Sequence, residues 1–197
     1  MNLPSDLDRA EQTARLVADL GAAFQQRAVY SSTHPQVRSA VSRLLHDLTD
    51  HDWNSVIEAD LTACFHLAKE ASRPMVRAGW GRIINISSVM GLIARPSVAP
   101  YVAAKAGVHG LTRALAVELG PKGVNVNCIG PGFYPASQNE VVRRDKNFYD
   151  WISNRAPLGR WGDPAELGGA VIYFASEASS FCNGQVLMVD GGMTIAL

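Results

Sequence analysis

Three stretches of this chain set its pattern of apolar and polar positions. Ile83 to Ser87 is a short β-branched run bounded by Gly81 and a serine pair, which predicts a buried strand ending at Ser88. From Pro100 the pattern turns helical: a proline in the first turn, then alanine and leucine up to Gly120-Pro121. Val124 to Ile129 alternates as a second strand and runs into Pro131-Gly132. A third strand is expected after the Asn183-Gly184 turn, ending before Gly191-Gly192.

The flanking segments read as helices of weaker signature. Asp6 to Phe24 carries an apolar stripe at Leu16, Val17 and Leu20; a short strand at Ala28 to Ser32 and a helix or helical lead-in from Gln36 to Leu48 follow. A long helix is expected from Asp52, as N-cap, through Arg77, kinked near Pro74. Asn139 to Asn154 is amphipathic, with Phe148, Tyr149 and Trp151 either packing it onto the body or meeting a substrate. Asp163 caps, and Pro164 opens, a last helix to Ser176.

Chemistry concentrates near the start of the central helix. Tyr101 and Lys105 lie four residues apart and project from one face. A free tyrosine titrates near pH ~10, and a fixed cation beside it favours the phenolate. A hydroxyl from Ser88 at the neighbouring strand end could hold a carbonyl oxygen while Tyr101 gives or takes the proton. Together the three form an acid/base site for interconverting alcohols and carbonyls.

Ser88, then YVAAK at Tyr101 to Lys105, Ala106-Gly107, Asn125-Val126-Asn127 and Pro131-Gly132 closely resemble the short-chain dehydrogenase/reductases. The match runs from about Trp53 to the C-terminus, and its last part resembles the gluconate 5-dehydrogenase-like branch. The resemblance implies an α/β fold, a Rossmann-like doubly wound parallel sheet, N-terminally truncated so that the first βαβαβ portion is missing. Residues 1–197 would form one partial domain, divergent over 1–52. It further implies NAD or NADP as cofactor, with Tyr101, Lys105, Pro131, Gly132 and Phe133 on the nicotinamide side. The substrate would be a small carbonyl or alcohol, a sugar acid for that branch, and the assembly a homodimer or homotetramer.

The sequence also departs from the family pattern. A glycine-rich pyrophosphate turn is not found, since Gly79-Trp80-Gly81 precedes a strand and neither Gly130-Pro131-Gly132 nor Gly191-Gly192 opens a helix. The family's Asn-Asn-Ala-Gly after the fourth strand is replaced by Ser31-Ser32-Thr33-His34, and Ala136 stands where a threonine commonly binds the cofactor. Asp60 occupies the place of a relay asparagine behind the lysine; it could hold water there and oppose phenolate formation, or be a surface carboxylate. Two readings follow: an oxidoreductase built on Ser88, Tyr101 and Lys105, or a non-catalytic relative acting through association. Without the early strands, an exposed apolar patch beside the short Ala28 to Ser32 edge, or a partner covering it, is expected.

Composition narrows the classes. Eighteen basic and 18 acidic residues give no electrostatic case for nucleic acid or an anionic membrane. Three separated cysteines outside any CxxC pattern suggest thiols in a reducing compartment, hence the cytoplasm. The five histidines show no metal-ligand spacing.

Overall fold

The computed structural model describes residues 43–135 and 144–197. The expected Asp6 to Phe24 helix, the Ala28 to Ser32 strand with its apolar edge, the start of the Gln36 to Leu48 segment, and Ala136 lie outside them. What is described of that segment is a 3-10 turn, Leu45–Asp47, in place of a continuing helix.

Helix α1, Asp50–Ile57, is capped by Thr49, with Asp52 at the third position closing the capping box. This corrects the expected cap: Asp52 accepts from the Thr49 amide at 3.1 Å while Thr49 Oγ1 accepts from the Asp52 amide at 3.1 Å. A π-helical turn, Glu58–Thr62, separates α1 from α2, Ala63–Ala78. The irregularity therefore lies at Asp60, whereas Pro74 sits inside an uninterrupted helix. β1 is Gly81–Ile86, α3 Ala99–Leu119, β2 Val124–Pro131, α4 Lys146–Arg155, α5 Leu167–Ala175 and β3 Val186–Val189. α4 covers the end of the expected Asn139 to Asn154 helix, whose residues 139–143 lie outside the described part. A 3-10 turn, Pro164–Glu166, capped by Asp163 as expected, leads into α5.

The described strands form a parallel sheet in the order β1-β2-β3, with Ile83 opposite Val126 and Cys128 opposite Val186. Strand alternation divides their side chains between two faces. Ile83, Val124 and Val126 pack with Ala68 of α2 and with Ala116 and Leu119 of α3. Ile84, Ile129 and Val189 meet Ala170 and Phe174 of α5 on the other side. Helices on both faces of a parallel sheet make the fold Rossmann-like and doubly wound. Each fully buried side chain such as Ile129 or Phe174 contributes about 1.5–3 kcal/mol.

A third cluster lies beyond the carboxyl ends of the strands, where Val89, Met90, Val98, Ile152, Trp161 and Met193 are buried together. It anchors α4 and the C-terminal segment against the start of α3. Ile86, the last residue of β1, is 46% exposed at the sheet edge.

Candidate active site

The site is built where the three strands end, the usual ligand crevice of an open parallel sheet. Ser88 follows β1 in extended backbone and caps the short turn Val89–Gly91. Its Oγ accepts from the Met90 amide at 3.2 Å. The backbone thus fills a lone pair and leaves the hydroxyl proton free to be donated to a ligand oxygen. The neighbouring Ser87 Oγ donates to the Lys105 carbonyl at 2.9 Å, pinning the end of β1 to the first turns of α3.

α3 carries a buried stripe at Pro100, Ala104, Lys105, Val108, His109, Thr112 and Ala116, the spacing of one helix face. Tyr101 packs against the buried cluster to which Val89 and Met90, of the turn that Ser88 caps, also belong. Lys105 Nζ stands 5.4 Å from the centroid of the Tyr101 ring. Phe133 joins the cluster from the end of β2, edge-on to Trp161 at 5.5 Å and to Phe148 at 6.2 Å. Pro131 closes β2, and the Gly132 amide donates to the Val189 carbonyl at 2.9 Å. The loop after β2 is thereby tied to β3. A Cβ on Gly132 would come within 2.7 Å of Asp190 Cα, so only glycine allows that approach.

Asp60 belongs to this site and is no surface carboxylate. Its Oδ1 is 2.9 Å from Lys105 Nζ, with the two side chains 24% and 11% exposed. The π-turn presents it, and Gly107 lets that turn approach α3: a Cβ there would lie 2.8 Å from Leu61 Cδ2. Burial pulls the Lys105 ammonium toward neutrality, but attraction to Asp60 and Tyr101 and the hydrogen bond to Asp60 outweigh it. Lys105 therefore holds its proton above the ordinary lysine range. The nearby thiols differ: burial pushes Cys128 up to about 11 and Cys64 upward as well, so both stay protonated near neutrality and are poor nucleophiles. All three cysteines are free.

The aromatic residues of α4 serve packing first. Phe148 contacts the buried cluster, and Tyr149 stacks on Trp161 with ring centroids 5.3 Å apart and nearly parallel planes. Trp151 is 49% exposed. Three supports of the site were not foreseen from sequence. Asn85 Nδ2 donates to Thr112 Oγ1 at 2.9 Å, Ser87 reaches Lys105, and His109 lies buried against Gly91. The clue for the first two was a polar residue inside or just after an apolar strand; for His109 it was the helical spacing after Lys105.

The family model described as enoyl-(acyl carrier protein) reductase matches residues 1–194. Gluconate 5-dehydrogenase of Gluconobacter oxydans is 41% identical over 153 residues, covering 78% of this chain and 60% of that protein. The 3-oxoacyl-(acyl-carrier-protein) reductase of Chlamydia trachomatis is 42% identical over 150 residues, with coverages of 76% and 60%. Among solved structures, a gluconate 5-dehydrogenase from Burkholderia cenocepacia in complex with NADP and tartrate superposes with a TM-score of 0.78 at 40% identity, covering 79% of this chain and 61% of that one. The chain thus spans about 60% of the length of the curated relatives it matches. With the strand-end serine, the Tyr101/Lys105 pair and the doubly wound sheet in place, the chain belongs to the short-chain dehydrogenase/reductase family.

Proposed function

We propose that this chain is an NAD(P)-dependent oxidoreductase that interconverts an alcohol and a carbonyl, with a sugar acid as the substrate class. The observation that carries the proposal is Lys105 Nζ 5.4 Å from the Tyr101 ring centroid, with Tyr101 packed on the cluster that includes Val89 and Met90 of the turn capped by Ser88. Gluconate dehydrogenases among the relatives support the sugar acid, and the NADP in the Burkholderia structure supports the cofactor.

In the reducing direction the Ser88 hydroxyl donates a hydrogen bond to the substrate carbonyl oxygen and increases the positive charge on its carbon. Tyr101 then gives its phenolic proton to that oxygen as the carbon is reduced, yielding the alcohol. Lys105 steadies the phenolate left behind and recovers charge balance when Tyr101 regains a proton from solvent. Tyr101, Lys105 and the Pro131-Gly132-Phe133 segment would hold a nicotinamide, which would supply the hydride. At the nicotinamide end, Gly132 packs closely on Asp190 and its amide bonds the Val189 carbonyl, which fixes the loop after β2 beyond the strand ends. At the pyrophosphate end, these 197 residues provide no glycine-rich turn.

A second reading has specific support. A relative that binds dinucleotide poorly would act through association, and the missing turn together with Asp60 against Lys105 favours it. Exposed apolar residues of α1 and α2, Trp53, Phe65 and Leu67, and Phe181 near the C-terminus support a homodimer or homotetramer in either case. The free thiols fit a reducing, cytoplasmic setting. Among the described residues no helix is long and apolar enough to cross a membrane.

Equilibrium binding of NADH and NADPH, followed through the quenching of the four tryptophans, separates the readings. Saturation at micromolar cofactor is the result expected of the oxidoreductase. The absence of binding up to millimolar cofactor would leave the associating relative, which sedimentation would then test.

A further inference from the structure

His109 is the one described histidine of the catalytic helix, two turns after Tyr101 and one after Lys105, and no step of the proposed chemistry uses it. It is 4% exposed, and its Nε2 is buried without a hydrogen-bond partner. The ring lies against Gly91. A Cβ at residue 91 would stand 2.4 Å from His109 Cε1 and 2.7 Å from Nε2, so the imidazole fills the space that any other residue would need. Gly91 in turn closes the short turn that Ser88 begins: its amide donates to the Ser88 carbonyl at 2.9 Å, and the Met90 amide donates to Ser88 Oγ. The ring is therefore the backing of the turn that aims the Ser88 hydroxyl.

Such a backing holds only while the imidazole is neutral. Protonation makes both ring nitrogens donors. Nε2–H would then face the Gly91 backbone with no acceptor, and a cation would be buried. Charged neighbours make this worse. Arg113 lies one turn further along α3, Lys105 one turn before is paired with Asp60, and the Val89–Gly91 turn packed against the ring carries no ionisable side chain. Burial, and then the Arg113 charge, hold His109 below the ordinary histidine value.

We propose that His109 is a positioning residue for Ser88: its neutral ring backs the Val89–Gly91 turn, and proton uptake by the ring releases that turn and withdraws the Ser88 hydroxyl from the site. A moderately acidic medium would then switch off carbonyl polarisation while Tyr101 and Lys105 stay in place. The consequence for turnover rests on the oxidoreductase reading, but the coupling between His109 and the Ser88 turn does not.

The test uses nuclear magnetic resonance of the isotopically labelled 197-residue chain, titrated from about pH 8 to about pH 5. The His109 ring signal and the backbone amides of Ser88, Met90 and Gly91 are expected to move together with one midpoint, below the ordinary value of ~6.5. His109→Leu and His109→Gln are expected to abolish the movement of those three amides. The parent titration decides by itself should either variant fail to fold. Amides that stay fixed while His109 titrates would overturn the proposal, as would an unchanged movement in the variants or a ring that stays neutral throughout. Where the chain turns over, kcat/KM is expected to fall several-fold in acid with the same midpoint, and His109→Gln to flatten that fall. Absence of turnover at every pH would count against the oxidoreductase reading alone, leaving the amide titration to judge the coupling.

Discussion

Lys105 Nζ and Asp60 Oδ1 are 2.9 Å apart, so the cation that stands beside Tyr101 has a full counter-charge of its own. A carboxylate on the far side of the lysine cancels part of the field that the phenol feels. Asp60→Asn keeps the size of the side chain and an oxygen acceptor but removes that charge. In a chain that turns over, the acid limb of alcohol oxidation is expected to move toward lower pH by about one unit. A pH profile of kcat/KM that is the same in parent and variant would show that Asp60 does not act on the phenol.

The same pair has a sign at the alkaline end. Because Lys105 holds its proton above the ordinary lysine range, the stability it contributes is complete below about pH 10.4 and is lost as pH rises through its folded value. Denaturant midpoints are expected to be flat with respect to this pair near neutrality and to fall above that pH. Asp60→Asn should make the alkaline fall shallower, read from urea titrations at stepped pH.

Tyr101→Phe removes the phenolic oxygen and leaves the ring that packs against the buried cluster of Val89, Met90 and Val98. Turnover is expected to drop by about 10²–10⁴-fold, with the cofactor dissociation constant within a few-fold of the parent and the thermal midpoint unchanged. Steady-state rates, binding titration and a melting curve check the three parts separately. A large loss of stability instead would mark Tyr101 as a packing residue.

Behind the site, Thr112 Oγ1 accepts from Asn85 Nδ2 at 2.9 Å and donates to the Val108 carbonyl at 2.8 Å, fully buried. Thr112→Val conserves shape and strands the Asn85 amide, at a cost of about 1–3 kcal/mol in chemical unfolding. Pairing it with Asn85→Leu in a double-mutant cycle is expected to recover part of that loss, since both polar groups are then gone.

Glu166 accepts from both terminal nitrogens of Arg160, at 2.7 and 2.9 Å, and from the Asp163 amide. The Arg160 bond, and then the Asp163 amide, hold its carboxyl down to about 2. The stabilising effect of this exposed cap is therefore present above the ordinary carboxylate value and fades as pH falls through about 2. Hydrogen exchange at the Asp163 amide is expected to quicken over that acid window in the parent, and to be fast at all pH values in Glu166→Gln.

The sequence by itself determined the elements that have a strong local cause. Ile83 to Ser87 and Val124 to Ile129 read as strands because β-branched side chains fit a pleated, buried surface, and α3 read as a helix because Pro100 suits a first turn and Gly120-Pro121 cannot continue one. The helix period alone put Tyr101 and Lys105 on one face, and the end of β1 alone placed Ser88 near them. What the pattern could not express is any relation between segments distant in the chain. Thr49 rather than Asp52 caps α1 because caps depend on backbone angles, and helix propensity does not mark the π-turn at Glu58–Thr62. The Asp60–Lys105 ion pair and the seat of His109 on Gly91 form where two elements meet, with Gly107 against Leu61 and Gly91 against the His109 ring at those points. Those contacts are matters of distance between folded surfaces, which tertiary packing alone decides.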